Sequence, residues 1–276
     1  MPTNNQQWLL TQSFYFQNRL VKWDSAGTGE PLIVVHGTPW SSYNMRFIIR
    51  AMAQHYQVYY FDLLGFGQSD QSDQDCSLGI QNDLLSALIQ HWKLRNPLIV
   101  GHDFGGTTAL RTALLNQQEF GKIALIDPVA IRPWGSDFYR LVATNEEVFQ
   151  QLPAAIHKGL VRAYIETAAF TEISTTVIDH TLSYWSTELG QPAFYRQIKQ
   201  SSETYTAELE DKFCDLGIET LIIWAEQDSW LPVSYAQKLA NALPNAQVSY
   251  VADAGHLVIE EKPTELVQKL RSFFAN

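Results

Sequence analysis

Three short segments carry side chains able to make and break a covalent bond. The first is Gly101-His102-Asp103-Phe104-Gly105-Gly106, directly after the apolar run Pro97–Val100 and directly before a helical pattern. Small residues two positions either side of Asp103 permit a tight strand-to-helix turn. Such a turn lifts the central carboxylate above a sheet edge, at a helix N-terminus whose dipole favours an anion. Asp228 follows the apolar run Leu221–Ala225, and His256 follows Val248–Val251. A nucleophile, an orienting acid and a histidine, each just past the end of a strand, form the layout of nucleophilic catalysis with a general base. His36-Gly37-Thr38-Pro39, after the run Leu32–Val35, adds a backbone N–H at Thr38. Together with that of Phe104 it can hold a developing oxyanion. Taken alone, Asp103 reads equally well as a helix cap; the other two segments argue against that. A second acid, Asp127 in ALIDPVAIRP, competes to orient His256, although Asp before Pro128 also suits a turn.

Short β-rich runs alternating with helical patterns predict the elements that position these groups. Strands are expected at Phe14–Gln17, Leu20–Asp24, Leu32–His36, Val58–Asp62, Leu98–Gly101, Ile123–Asp127, Leu221–Ala225 and Val248–Val251, the first two as an antiparallel edge hairpin. The unbroken LIVV run suits a strand buried on both faces. Helices are expected at Tyr43–Gln54, Ser77–Trp92, Gly105–Gln117, Val233–Leu243 and Thr264–Phe274, the last after Pro263. This rhythm predicts an α/β fold with a mostly parallel sheet flanked by helices. It fails between about residues 131 and 213, where periodic segments at Glu147–Leu152, Ala154–Thr167 and Ala193–Glu210 predict an all-helical insertion. The division expected is a core of residues 1–130 and 214–276 with a helical cap of 131–213.

Composition narrows the partners. The 276 residues hold 19 Lys+Arg against 29 Asp+Glu, a net charge of −10, which disfavours a phosphate-binding surface and hence a nucleic-acid partner. With 46% hydrophobic and 12% aromatic residues the chain has enough apolar surface to repay its ordering entropy. No apolar run approaches the roughly 20 residues of a spanning helix, so no membrane partner is expected. Cys76 and Cys214 have no CxxC neighbours and read as two reduced thiols rather than a metal site. The N-terminal MPTNNQQWLLTQSFYFQ lacks the basic-then-apolar build of a signal peptide, which makes a cytoplasmic location the expectation.

The motifs resemble the α/β-hydrolase superfamily over nearly the whole chain. The nearest branch is that of haloalkane dehalogenases and epoxide hydrolases, which use an Asp nucleophile in a GHDxG turn and carry a helical cap. HGTPWSSYNMR resembles the dehalogenase pattern HGxPxSSYxxR, and DLLGFGQSD resembles DLxGxGxSD. The resemblance implies an eight-stranded α/β-hydrolase fold, a catalytic triad of Asp103, His256 and Asp228 (with Asp127 the alternative acid), and an oxyanion hole at Thr38 and Phe104. It implies no cofactor and no metal.

An Asp nucleophile selects the reaction. A carboxylate with a pKa near ~4 is ionised without help, and its attack on an sp³ carbon gives an ordinary alkyl ester. His256 then activates the water that hydrolyses the ester. The expected substrate is a small neutral organic molecule with water, and the expected assembly is a monomer or homodimer. Carbon–halogen cleavage is the first expectation and epoxide hydrolysis the alternative; a noncatalytic ligand receptor is the reading from another class. The sequence departs from the dehalogenase pattern where an indole follows the nucleophile, for Phe104 stands there. Epoxide hydrolases supply two cap tyrosines, and the insertion offers Tyr139, Tyr164, Tyr184, Tyr195 and Tyr205. Tyr164 and Tyr195 are the expected pair. His36 and Trp185 complete the expected substrate-binding set, and His157 and Trp185 are candidate donors to a halide.

Overall fold

The computed structural model describes residues 8–275. Its eight strands are β1 Gln12–Phe16, β2 Arg19–Ala26, β3 Glu30–Val35, β4 Tyr56–Phe61, β5 Leu98–His102, β6 Ile123–Ile126, β7 Thr220–Ala225 and β8 Ala246–Val251. They form one sheet in the order β1-β2-β4-β3-β5-β6-β7-β8. β2 runs antiparallel to both β1 and β4, and every other pairing is parallel. The β1–β2 connection is two residues, Gln17 and Asn18, with φ of 49° and 63°. Left-handed backbone at both positions gives a turn whose twist matches that of the paired strands. Every residue of β5, β6 and β7 is buried, as a parallel sheet covered on both faces requires.

Among the described residues twelve α-helices accompany the sheet. They are α1 Arg46–Met52, α2 Leu78–Trp92, α3 Phe104–Leu114, α4 Asp137–Thr144, α5 Glu146–Gln150, α6 Ala154–Glu166, α7 Thr175–Trp185, α8 Gly190–Gln200, α9 Thr204–Glu210, α10 Ser234–Ala242, α11 Val258–Glu261 and α12 Pro263–Ala275. α2 packs on α3, α1 on α12, and α10 on β7 and β8. Six of them, α4 to α9, lie between β6 and β7, and no strand interrupts them among the described residues. Buried apolar side chains run without a break from the sheet (Val34, Ile99, Ile222) into these helices (Val161, Ile165, Phe194). No described helix is long and apolar enough to cross a membrane.

Within that segment the helices differ from the expected ones. The single helix expected over Ala193–Glu210 divides into α8 and α9. Ser201 leaves the helical region with φ −85° and ψ 96°. Its hydroxyl donates to the Gln197 carbonyl at 2.6 Å, while Ser202 Oγ accepts from the Thr204 amide at 3.2 Å. Adjacent serines offer the backbone partners outside a helical ladder, which ends the helix there. α4 and α7 were not expected. Each starts on a serine cap, Ser136 accepting from the Tyr139 amide and Ser174 from that of Thr176.

Candidate active site

β5 ends at His102 and α3 begins at Phe104, so Asp103 alone makes the turn. Its φ of 52° and ψ of −119° lie where only glycine sits comfortably. Two glycines permit the fold-back: a Cβ on Gly101 would strike the Gly105 carbonyl, and one on Gly105 would strike the Val35 carbonyl of β3. The turn leaves Asp103 3% exposed with both carboxylate oxygens engaged. Oδ1 accepts from the Thr38 amide at 2.7 Å, and Oδ2 lies 3.2 Å from His256 Nε2. Phe104 lines the same cavity, but among the described residues its amide does not donate to the carboxylate.

His256 follows β8, and its Nδ1 lies 2.8 Å from Asp228 Oδ2. The other oxygen of Asp228 accepts from the Trp230 amide at 2.7 Å and the Leu231 amide at 2.9 Å. Burial alone would drive the imidazolium to lose its proton. The Asp228 charge and the hydrogen bonds to Asp103 and Asp228 outweigh that and hold His256 well above the ordinary histidine range. Both ring nitrogens thus face carboxyl groups, an arrangement that favours the protonated ring.

Asp127 is not the partner of His256. Its Oδ1 accepts from the Ala225 amide at 2.8 Å, and its Oδ2 is buried without a partner among the described residues. Burial, then the nearby Asp228 charge, push it well above the usual carboxylate range, so it stands as a neutral acid. His102 is fully buried beside it, with Nε2 2.9 Å from the His256 carbonyl; burial and the proximity of His256 lower it to about 4, leaving it neutral. His102, Asp127 and His256 gather ligand atoms within 4.8 Å, the one such group among the described residues. They fit a metal poorly, because both His256 nitrogens already serve Asp103 and Asp228.

Asp103 faces a cavity of about 30 Å3, room for about two ordered waters. Thr38, Phe104, Val129, Trp134, Tyr139, Tyr164, Trp230 and Leu231 enclose it together with His256. Trp230 stacks on the His256 ring (5.0 Å, 27°) and on Tyr164 (4.6 Å, 16°), linking the histidine to α6. The Tyr139 hydroxyl is buried beside the Ser201 side chain. Burial raises the phenols of both Tyr139 and Tyr164, and the Asp103 carboxylate adds to the effect.

Three of the expected substrate contacts, His36, Trp185 and Tyr195, do not line this cavity. His36 is wholly buried away from the cavity, with Nδ1 against the Gly37 carbonyl (2.9 Å) and Nε2 accepting from the Leu63 amide (3.0 Å). It stitches the end of β3 to the loop after β4. Trp185 donates its indole N–H to the Pro39 carbonyl at 2.8 Å, and the Tyr195 hydroxyl lies 2.7 Å from His157 Nδ1. The other His157 nitrogen lies 2.9 Å from the Trp185 carbonyl, so none of the three is free to reach a substrate. Of the expected tyrosine pair, Tyr164 lines the cavity and Tyr139 takes the place given to Tyr195. Trp230 was missed, although a tryptophan two residues past the acid in DSWLP was its signal.

The family described as the alpha/beta hydrolase fold matches residues 30–263 of the chain. A crystal structure of an alpha/beta hydrolase fold protein from Burkholderia ambifaria is 41% identical, with a TM-score of 0.92 over 95% of this chain and 97% of that one. The dihydrolipoyllysine-residue acetyltransferase component of the acetoin cleaving system of Pseudomonas putida is 26% identical over 92% of this chain. This chain spans 66% of that protein's length. The epoxide hydrolase CorEH, solved without ligand, is 20% identical with a TM-score of 0.78 over 96% of this chain and 98% of its own; it is similar in fold.

Proposed function

This chain belongs to the alpha/beta hydrolase fold family, and within it we propose a hydrolase that opens a small neutral epoxide through an alkyl ester on Asp103. The observation that carries the reading is the meeting of the Asp103 side chain with two phenols, Tyr139 and Tyr164, around one small cavity. In this reading residues 131–213 act as a cap that supplies those phenols and keeps water out, and Asp228 and His256 complete the triad.

Asp103 Oδ2 attacks a ring carbon, the ring C–O bond breaks, and the alkoxide takes a proton from Tyr139 or Tyr164. Proton donation of this kind is worth roughly 10²–10⁴ in rate. Esterification removes the Asp103 charge, and with it one of the two carboxylates that keep His256 protonated. His256 then releases its proton, which restores the tyrosine through water, and becomes the base the second step needs. Neutral His256 takes a proton from water attacking the ester carbon. The oxyanion forms on Oδ1, where the Thr38 amide already donates; one such donor contributes about 3 kcal/mol. Collapse breaks the bond between the carboxyl carbon and Oδ2, and the leaving oxygen takes the proton held by His256. A diol departs, and the new Asp103 carboxyl passes its proton to His256, which restores the starting carboxylate and imidazolium.

Carbon–halogen cleavage would use the same nucleophile but needs N–H donors for the departing halide. The two indoles lining the cavity give theirs to threonines: Trp134 Nε1 to Thr206 Oγ1 at 2.9 Å and Trp230 Nε1 to Thr167 Oγ1 at 3.0 Å. The phenols therefore favour the epoxide.

The test is to trap the ester. His256→Gln incubated with a neutral epoxide should gain the mass of one substrate on the peptide carrying Asp103. Adding Tyr139→Phe and Tyr164→Phe should slow that gain at least about a hundredfold. An adduct formed from haloalkanes and not from epoxides would make the enzyme a dehalogenase, and no adduct with either would leave a noncatalytic receptor.

A further inference from the structure

A second hollow, about 660 Å3, opens between α4, α5 and α6 beside the reaction cavity. Its wall is largely apolar, with Phe138 and Leu141 from α4, Phe149 from α5 and Leu160 and Ala163 from α6 alongside the polar Ser136, Asp137, Thr167 and Ser229. Leu141 is 53% exposed, an apolar side chain left facing water. Phe138 packs its ring against both Tyr164 (4.9 Å) and Phe149 (6.1 Å), which makes the wall continuous. The hollow shares Ser136, Tyr164 and Trp230 with the 30 Å3 cavity over Asp103. The stacked pair Tyr164–Trp230 thus stands as the threshold between a small reactive chamber and a large apolar groove.

We propose that this groove binds a hydrocarbon tail of the substrate, so that the enzyme acts on neutral epoxides carrying an alkyl chain. The inner chamber has room for the three-membered ring and little more. Any larger substituent must leave it, and the only apolar surface contiguous with it among the described cavities is the groove. A chain lying there covers the exposed leucine and the phenylalanine edges, and each buried methylene adds up to about fourfold in affinity. The tail crosses where Tyr164 and Trp230 stack, so the substrate parts these rings as it binds. The identity of the reacting group rests on the epoxide reading; the binding of the tail does not.

Unreactive 1-alkanols, which mimic the tail and one hydroxyl of the product, separate the two. Their dissociation constants for the full chain, measured calorimetrically from 1-butanol to 1-decanol, should fall two- to fourfold per added carbon. Leu141→Glu and Ala163→Glu place charge in the groove on residues that are surface-accessible and should weaken 1-decanol at least tenfold. Leu189→Glu, equally surface-exposed but outside the groove, should keep the wild-type series. An affinity independent of chain length, or a series unchanged in Leu141→Glu and Ala163→Glu, overturns the proposal. Failure of His256→Gln to form an ester removes the epoxide and leaves the alkanol result standing on its own.

Discussion

Asp228 and Asp127 follow neighbouring strands, yet their carboxyls meet opposite surroundings. Asp228 has two amide donors and an imidazolium; Asp127 has one amide, a vacant oxygen and the Asp228 charge close by. Asp228→Asn should therefore cut ester hydrolysis by about 10⁴-fold, through loss of the charge that steadies the protonated histidine. Asp127→Asn should leave turnover within about tenfold. Reversal of that order in single-turnover kinetics would assign the orienting role to Asp127. The two also differ in their effect on stability. The folded chain holds the Asp127 proton that the unfolded chain releases near pH ~4, so wild-type stability falls as pH rises from there through the raised folded value. Asparagine carries no proton to lose. Melting curves should show Asp127→Asn gaining on the wild type between pH 4 and neutrality, and a difference independent of pH would refute the neutral-acid assignment.

The turn between β5 and α3 works only because α3 starts hard against β3. Gly105→Ala should push that helix off the Val35 and His36 carbonyls. An overpacked backbone contact costs roughly 1–3 kcal/mol. A lower urea midpoint with slower ester formation is the expected result, and an unchanged midpoint would mean that the contact is dispensable. The same close packing explains what was legible in the sequence. Strand ends are fixed by unbroken apolar runs such as LIVV and LIIWA, so Asp103, Asp228 and His256 converge wherever the sheet forms. Side chains in the helical segment obey a different constraint: which way they face depends on how six helices settle on one another. Tyr195 and Trp185 have the right chemistry for a pocket but spend it on His157 and the Pro39 carbonyl. His36 stands one residue before the glycine of the oxyanion turn, and its ring turns inward to serve the Leu63 amide. Nothing in local spacing distinguishes those outcomes. Two serines splitting α8 from α9 were visible in SSET, but helical periodicity on both sides masked them.

At the scale of the whole molecule, charge acts in one direction. The chain carries −10, and among the described residues no lysine or arginine lines the reaction cavity, whose wall holds the Asp103 carboxyl and the His256 ring that pairs with Asp228 behind it. A carboxylate-bearing epoxide such as glycidate should therefore be turned over with a kcat/KM on the order of a hundredfold below that of a neutral epoxide of equal size. Comparable values for the two would point to a cation recruited from outside the cavity. Six helices depart from the end of β6 and return at the start of β7, yet those strands are partners, with Ile123 against Thr220 and Ile126 against Ile223. The ladder between them needs nothing from the intervening chain, and the entropy of closing a longer connection rises only with the logarithm of its length. The helices between β6 and β7 can therefore be lengthened, shortened or exchanged at little cost to the sheet that holds Asp103 and His256 in place.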